Sequence, residues 1–252
     1  MKISWLLLTY NRANAVCKAI PYCAKNAGHS YDEVIWVDNG SEKGEYLRIA
    51  HMLAGLFPNI THVLYSKNTG VAKGYNTCMA NAQGTHMVIT GCDMMMPDNW
   101  LKKMVEAYNG LPKAGVVTIY ASEISKVKER IRGEPFMWSS QVFQEAMPIG
   151  RRFLSKELQR KIGYFHEGFG MYGWDDVAWG HTAERVLGEL GLKSYNLNDH
   201  VAEHLGTEGN VGYDYKDEHE YWRWKRKEVE DPAKQELLTK LRTANWPSFN
   251  PY

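Results

Sequence analysis

A single carboxylate, Asp93, closes the apolar run Met87-Val-Ile-Thr-Gly-Cys-Asp93. Open α/β sheets bind their ligands at the carboxyl ends of buried strands, so this acid is positioned for chemistry rather than for solubility. As an oxygen donor it suits a divalent cation. Thr9-Tyr-Asn-Arg12 and Val37-Asp-Asn-Gly40 are short polar turns that directly follow apolar runs, and Gly173-Trp-Asp-Asp176 sets two acids at the head of a helical segment. A positioned carboxylate can take the proton of an attacking hydroxyl, a contribution of typically about 10² to 10⁴ in rate. The helix dipole gives the same two acids an ordinary capping alternative.

Elements that would hold these residues can be read from periodicity. Ile3 to Leu8, Glu33 to Val37, His62 to Tyr65, Met87 to Thr90 and Val116 to Ile119 are short and rich in aliphatic residues, which predicts strands. Asn14 to Ala24, Glu45 to Leu56, Val71 to Ala82 and Asn99 to Tyr108 have helical spacing between them. The alternation predicts an α/β fold with a mainly parallel sheet flanked by helices. Pro21 predicts a kink or an early stop in the first helix. Phe136 to Trp138 and Val142 to Phe143 read as further strands. Ser155 reads as a helix N-cap with Gly163 as the stop, Asp176 to Leu190 as a helix closed by Gly191, and Lys193 to Leu197 as a last strand. Asp231-Pro232 opens a helix to about Leu241, and Asn245 to Tyr252 reads as an irregular strap.

The 252 residues carry 30 basic and 29 acidic side chains, so no global field points to a nucleic acid or a membrane. The first strand-like run has no basic leader before it, and no apolar run approaches the roughly 20 residues of a membrane span, which predicts a soluble, cytoplasmic protein. Cys17, Cys23, Cys78 and Cys92 form no CxxC pair and read as reduced core residues.

Four motifs in order resemble family 2 glycosyltransferases of the GT-A fold. Ser4 to Arg12 resembles the opening strand and its Thr-Tyr-Asn-Arg turn, and Glu33 to Ser41 the second strand with its terminal Asp. Asn68-Thr-Gly70 to Gly84 resembles the Asn-x-Gly segment and following helix, and Gly91-Cys-Asp93 the metal motif. The likeness resumes over Gly163 to Gly191. It implies transfer of a sugar, with inversion, from a nucleotide diphosphate donor, UDP favoured, assisted by a divalent metal. Mn²⁺ is favoured over Mg²⁺ because a histidine, His204, would join Asp93 as ligand. Gly91 stands where the family commonly has a first acid. Thr9, Tyr10, Asn11, Arg12, Asp38, Asn68, Lys73, Asn76 and Cys92 are implied to bind the nucleotide, with Asp38 reading its base. Asp176 is implied as the base toward the acceptor, with Asp175 beside it. Asp38 and Asn68 also fit plain turn formers, and His204 also fits a partly exposed histidine. Residues 1–206 are expected to form the GT-A-like domain, with 1–120 as its nucleotide-binding half and 121–206 as its acceptor half. Residues 207–252 would be a C-terminal helical extension packed on it.

Rival readings stand beside this one. His200-Val-Ala-Glu-His204 fits an H-x-x-E-H zinc peptidase pattern, yet the run lies between Asn198-Asp199 and Gly206, too short for a stable helix. A nucleotidyltransferase would carry a glycine-rich phosphate loop near the first strand, and Thr9 to Arg12 has no glycine. A non-catalytic nucleotide-sugar binder is compatible with Gly91. Tyr221-Trp-Arg-Trp-Lys-Arg-Lys227 fits either packing of its tryptophans onto the domain or contact with an anionic acceptor. The acceptor is left open among a glycan, a protein, a lipid-linked sugar and a hydroxyl on a nucleic acid base.

Overall fold

The computed structural model describes residues 1–121, 143–205 and 218–252. The strand expected at Phe136 to Trp138 and the boundary expected at 206/207 lie outside the described residues. Strand-helix units come first: β1 (Ile3–Thr9), α1 (Ala13–Lys25), β2 (Glu33–Asp38), α2 (Lys43–Leu56), β3 (Ile60–Leu64), α3 (Val71–Asn81), β4 (His86–Ile89), β5 (Met94–Met95), α4 (Trp100–Gly110) and β6 (Ala114–Ile119). Then follow β7 (Phe143–Glu145), β8 (Arg151–Ser155), α5 (Lys156–Ile162), a 3-10 turn at Glu167–Phe169, α6 (Asp175–Leu190), β9 (Lys193–Leu197), β10 (Glu203–His204), α7 (Glu218–Val229) and α8 (Pro232–Thr243).

Eight strands form one sheet in the order β3-β2-β1-β4-β8-β6-β9-β7, and β5 with β10 makes a separate ribbon. β1 to β4 run parallel, as do β6 and β9, while β8 enters antiparallel between β4 and β6. The chain leaves β1 toward β2 and β3, then returns to β4 on the other side of β1. That reversal opens a crevice at the carboxyl ends of β1 and β4, the place where such sheets take ligands.

β1 is buried along its whole length because helices cover both faces of the sheet. Ile3, Trp5 and Leu7 pack on one face with residues of α1, α2 and α4, and Leu6 and Leu8 on the other with residues of α3, α5 and α6. Trp5 meets Tyr31, Phe57 and Trp100 with ring centroids 5.2, 5.6 and 5.5 Å away, and its Nε1 donates to Thr90 Oγ1 at 2.8 Å. The largest side chain of the core thus ties β1 to the loop that leads to Asp93.

Caps and turns follow the sequence closely. Ser155 Oγ accepts from Leu158 N at 3.1 Å, Gly191 ends α6 with φ 64, and Asp231 caps α8 with Pro232 in its first turn. Pro21 does not stop α1, which runs on to Lys25. One lost hydrogen bond is outweighed by the buried stripe of Val16, Ala19, Ile20 and Cys23. β8 escapes sequence reading because Arg151-Arg152-Phe-Leu-Ser155 has no apolar-polar alternation and runs straight into α5. The 245–252 strap lies against α5 and the turn after it: Tyr164 N donates to Phe249 O at 2.7 Å and Ser248 Oγ to Lys161 O at 3.1 Å.

Candidate active site

Two adjoining clefts open at the carboxyl edge of the sheet. The larger, about 530 Å³, is walled by Thr9, Tyr10, Arg12, Asn68, Cys92, Asp93 and His204, with Asn39, Met171 and Trp224 among the others. Its neighbour, about 420 Å³, holds Asp175, Asp176 and Arg152 among aromatic side chains that include Phe165 and Trp174. Val71, Tyr75, Gly91, Arg151 and Tyr172 line both.

Asp93 reaches the first cleft from the loop between β4 and β5. His204, distant in sequence, arrives through the ribbon: His204 pairs with Met94, and Leu205 N donates to Asp93 O at 3.0 Å. His204 Nε2 lies 3.1 Å from Asp93 Oδ2. Arg12, at the head of α1 with φ 60, donates from Nη1 to the same oxygen. Burial raises the Asp93 carboxyl, but the contacts with His204 and the Arg12 guanidinium outweigh it and hold the group well below the usual carboxylate range. Glycine at position 91 is explained by crowding: a Cβ there would sit 2.5 Å from Met94 Cγ and 3.2 Å from Asp93 Oδ1.

Asp93 and His204 supply one oxygen and one nitrogen donor, a mixed set that fits Mn²⁺. Among the described residues no group of three His, Cys, Asp or Glu side chains comes together. A cation on this pair would therefore complete its shell with ligand oxygens and water, as hard cations do on substrate phosphates. Arg12 stands on the same wall, a fixed positive charge paired with Asp93.

The other residues expected to bind nucleotide divide into two sets. Thr9, Tyr10, Arg12, Asn68 and Cys92 stand on the cleft wall, whereas Asn11, Asp38, Lys73 and Asn76 are not among the residues that line it. Asp38 is fully buried; its Oδ2 accepts from Thr9 Oγ1 at 2.8 Å and Ser41 Oγ at 2.7 Å, and Oδ1 accepts from Ser41 N at 2.8 Å. These bonds brace the turn after β2, in keeping with the turn-forming alternative open in the sequence. Asn11 Oδ1 accepts from Glu42 N at 2.7 Å, and Lys73 is exposed on α3. Asn76 is consumed by Phe165 and Glu167: Nδ2 donates to Phe165 O and Glu167 Oε1 at 2.9 Å each, and Oδ1 accepts from Phe165 N at 2.8 Å. Asn39 lines the cleft where Asp38 does not, and its side chain binds Asn68 and Thr69, fixing the Asn68–Gly70 turn.

In the second cleft, Trp174 precedes α6 with φ 64, so Asp175 and Asp176 form the first turn of that helix. Asp176 Oδ2 accepts from Gly150 N at 2.9 Å, and Oδ1 accepts from Arg152 Nη2. Asp175 is buried, and burial together with the Asp176 charge pushes its carboxyl up to about 6. The antiparallel entry of β8 explains Arg152: the strand starts at the ligand edge, and Arg152 pairs with Ile89 and Thr118. Sequence reading missed this residue; the signal available was Asp176 and Trp179 at helical i, i+3 spacing, a face prepared for a cation.

A mainly parallel sheet of this topology, with its clefts at the carboxyl edge, has the GT-A fold. Residues 4–174 match glycosyl transferase family 2, and the chain belongs to that family. The uncharacterized glycosyltransferase YfnE of Bacillus subtilis (strain 168) is 25% identical over 201 residues, covering 78% of this chain and 50% of YfnE. The chain thus spans about half the length of that curated relative. Among solved structures, the mannosyltransferase PcManGT from Pyrobaculum calidifontis in complex with GDP-Man and Mn²⁺ has a TM-score of 0.65 at 21% identity, over 99% of this chain and 66% of that one. S. aureus TarS 1-349 with UDP-GlcNAc gives 0.60 at 18% over 96% and 72%, and GalNAc-T7 with UDP, GalNAc and Mn²⁺ gives 0.61 at 12% over 99% and 55%. These likenesses carry the fold. Among the described residues no helix is long and apolar enough to cross a membrane.

Proposed function

We propose that this chain transfers a sugar from a nucleotide diphosphate donor, UDP favoured, to an acceptor hydroxyl, with inversion at the anomeric carbon. The observation that carries this reading is the shared wall of the two clefts, which sets Asp93 and His204 on one side of Gly91 and Arg151 and the acid dyad on the other. Asp93 and His204 would hold Mn²⁺ or Mg²⁺, with Mn²⁺ favoured; when bound, the cation offsets charge on the departing diphosphate. Arg12 adds a fixed positive charge at the same wall, and Thr9, Tyr10, Asn68 and Cys92 border the nucleotide. Asp176 accepts the acceptor hydroxyl proton as that oxygen bonds to the anomeric carbon and the carbon-to-phosphate-oxygen bond breaks. One displacement inverts the carbon. Asp175, buried at its side, sets the local charge.

The ligands held in the similar structures, GDP-Man, UDP-GlcNAc, and UDP with GalNAc, support a nucleotide-sugar donor without choosing the sugar. Residues 1–206 would act as the transferase unit with 207–252 as its extension, in the cytoplasm. The test is turnover of a panel of UDP- and GDP-sugars with Mn²⁺ present. Asp93→Ala and Asp176→Asn should each lower turnover at least about 100-fold. Tight donor binding with no turnover of any sugar would favour the non-catalytic binder.

A further inference from the structure

Arg152 carries a positive charge at 2% exposure beneath an acid whose side chain is 42% exposed. Its planar group is held on every side that the described residues offer. Nε donates to Gly150 O at 3.0 Å, Nη2 donates to Asp176 Oδ1, and the guanidinium carbon lies 4.4 Å from the Trp179 ring centroid and 5.1 Å from that of Phe165. Nη1 is buried without a hydrogen-bond acceptor among the described residues, so the aromatic faces are its surroundings. Trp179 is itself fixed, Nε1 donating to Gly163 O at 3.1 Å.

Stability does not account for this arrangement. A buried ion pair is often matched or bettered by apolar side chains of similar size, because desolvating the charges offsets their attraction. Leu154, two residues on and so on the same face of β8, is fully buried, so an apolar residue would suit the layer. What a planar, multiply bonded guanidinium adds is direction. Gly150 N and Arg152 Nη2 take one oxygen each of Asp176, and Nε returns to Gly150 O, closing a ring of bonds around the carboxylate.

We infer that Arg152 is a positioning residue, which fixes the Asp176 carboxylate at the wall of the second cleft so that its remaining lone pairs face the acceptor. This rests on the reading of Asp176 as the base. Arg152 touches neither donor nor acceptor in that role; it acts through Asp176 alone.

The Gly150 amide reports the position of Asp176 without any substrate. Amide hydrogen exchange of wild type, Arg152→Lys and Arg152→Met, followed by NMR, should show Gly150 exchanging at least about tenfold faster in Arg152→Met, with the Ile89 and Thr118 amides unchanged. Turnover is read with whichever of UDP-glucose, UDP-galactose, UDP-N-acetylglucosamine and GDP-mannose the wild type hydrolyses fastest with Mn²⁺, water serving as acceptor. It should fall at least about tenfold in Arg152→Met with donor KM within about twofold, and Arg152→Lys should recover part of it. Gly150 protection equal to wild type in a folded Arg152→Met protein, or in an Arg152→Lys protein whose turnover has nonetheless fallen, would overturn the proposal. Full turnover in Asp176→Asn, or no hydrolysis of any donor by wild type, would sink the base reading instead, and the Gly150 exchange would still decide whether Arg152 holds the carboxylate.

Discussion

Asp175 and Asp176 are neighbours in the chain with different surroundings. Asp176 is half in solvent and paired with Arg152, whereas Asp175 is buried beside a like charge. The Asp175 carboxyl is pushed from 3.8 up to about 6, chiefly by burial. The folded chain therefore holds this proton more tightly than the unfolded chain does. Its contribution to stability is fully present below about pH 4 and is lost as pH rises through about 6, a penalty of order 3 kcal/mol above that range. Asp175→Asn keeps the shape without the charge, so its Tm should exceed that of wild type at pH 8 and converge with it near pH 4. Equal Tm differences at both pH values would show that the site does not raise the Asp175 carboxyl.

The elements were largely legible because each has its own local cause. β1 alternates Ile3, Trp5 and Leu7 with Leu6 and Leu8, α5 begins at a serine cap and ends at a glycine, and Gly191 closes α6. What escaped depends on pairings between distant segments. The ribbon of β5 and β10 is two residues long on each side, and β8 joins the sheet only because β4 and β6 leave a gap for it. The presence of Asp93, His204 and the dyad on the clefts was legible by motif, but the interior bonds of Asp38 and Asn76 were not, since an acid at a strand end or an amide within a helix looks the same in sequence whether it faces a ligand or the interior. Two substitutions test the element scale. Trp5→Ala should cost about 3–5 kcal/mol in urea unfolding, since it empties an aromatic cluster that spans β1, α4, the loop before β2 and the end of α2. Gly70→Ala puts a Cβ 2.2 Å from Gly170 O at a φ of 91. It should push the Asn68–Gly70 turn from the 170–171 loop and weaken UDP binding about tenfold or more, measured by calorimetry.

At the scale of the molecule, the C-terminal helices bear on the second cleft. Lys234 Nζ donates to Tyr172 O at 2.8 Å and pairs with Glu228 at 2.5 Å, and Trp174 Nε1 donates to Val229 O at 2.9 Å. Phe169, Ala178 and Leu241 form a small core between α6 and α8, with Trp174 and Trp246 packed on it. The loop that carries Tyr172, Gly173 and Trp174 toward the dyad is thus held from the far side of the chain. Lys234→Met should speed amide exchange across residues 170–174 several-fold while leaving β1 and β4 unchanged. Exchange confined to α8 would show that the loop stands without this latch.

The account turns on Asp93 as the anchor of a cation that meets a nucleotide diphosphate. Thermal shift by UDP, with and without Mn²⁺, on wild type and Asp93→Ala, measures this directly, because a ligand that binds the folded chain raises Tm by mass action. Wild type should show a UDP shift that grows when Mn²⁺ is present, and Asp93→Ala should lose that increment. An increment of equal size in both proteins would contradict the account.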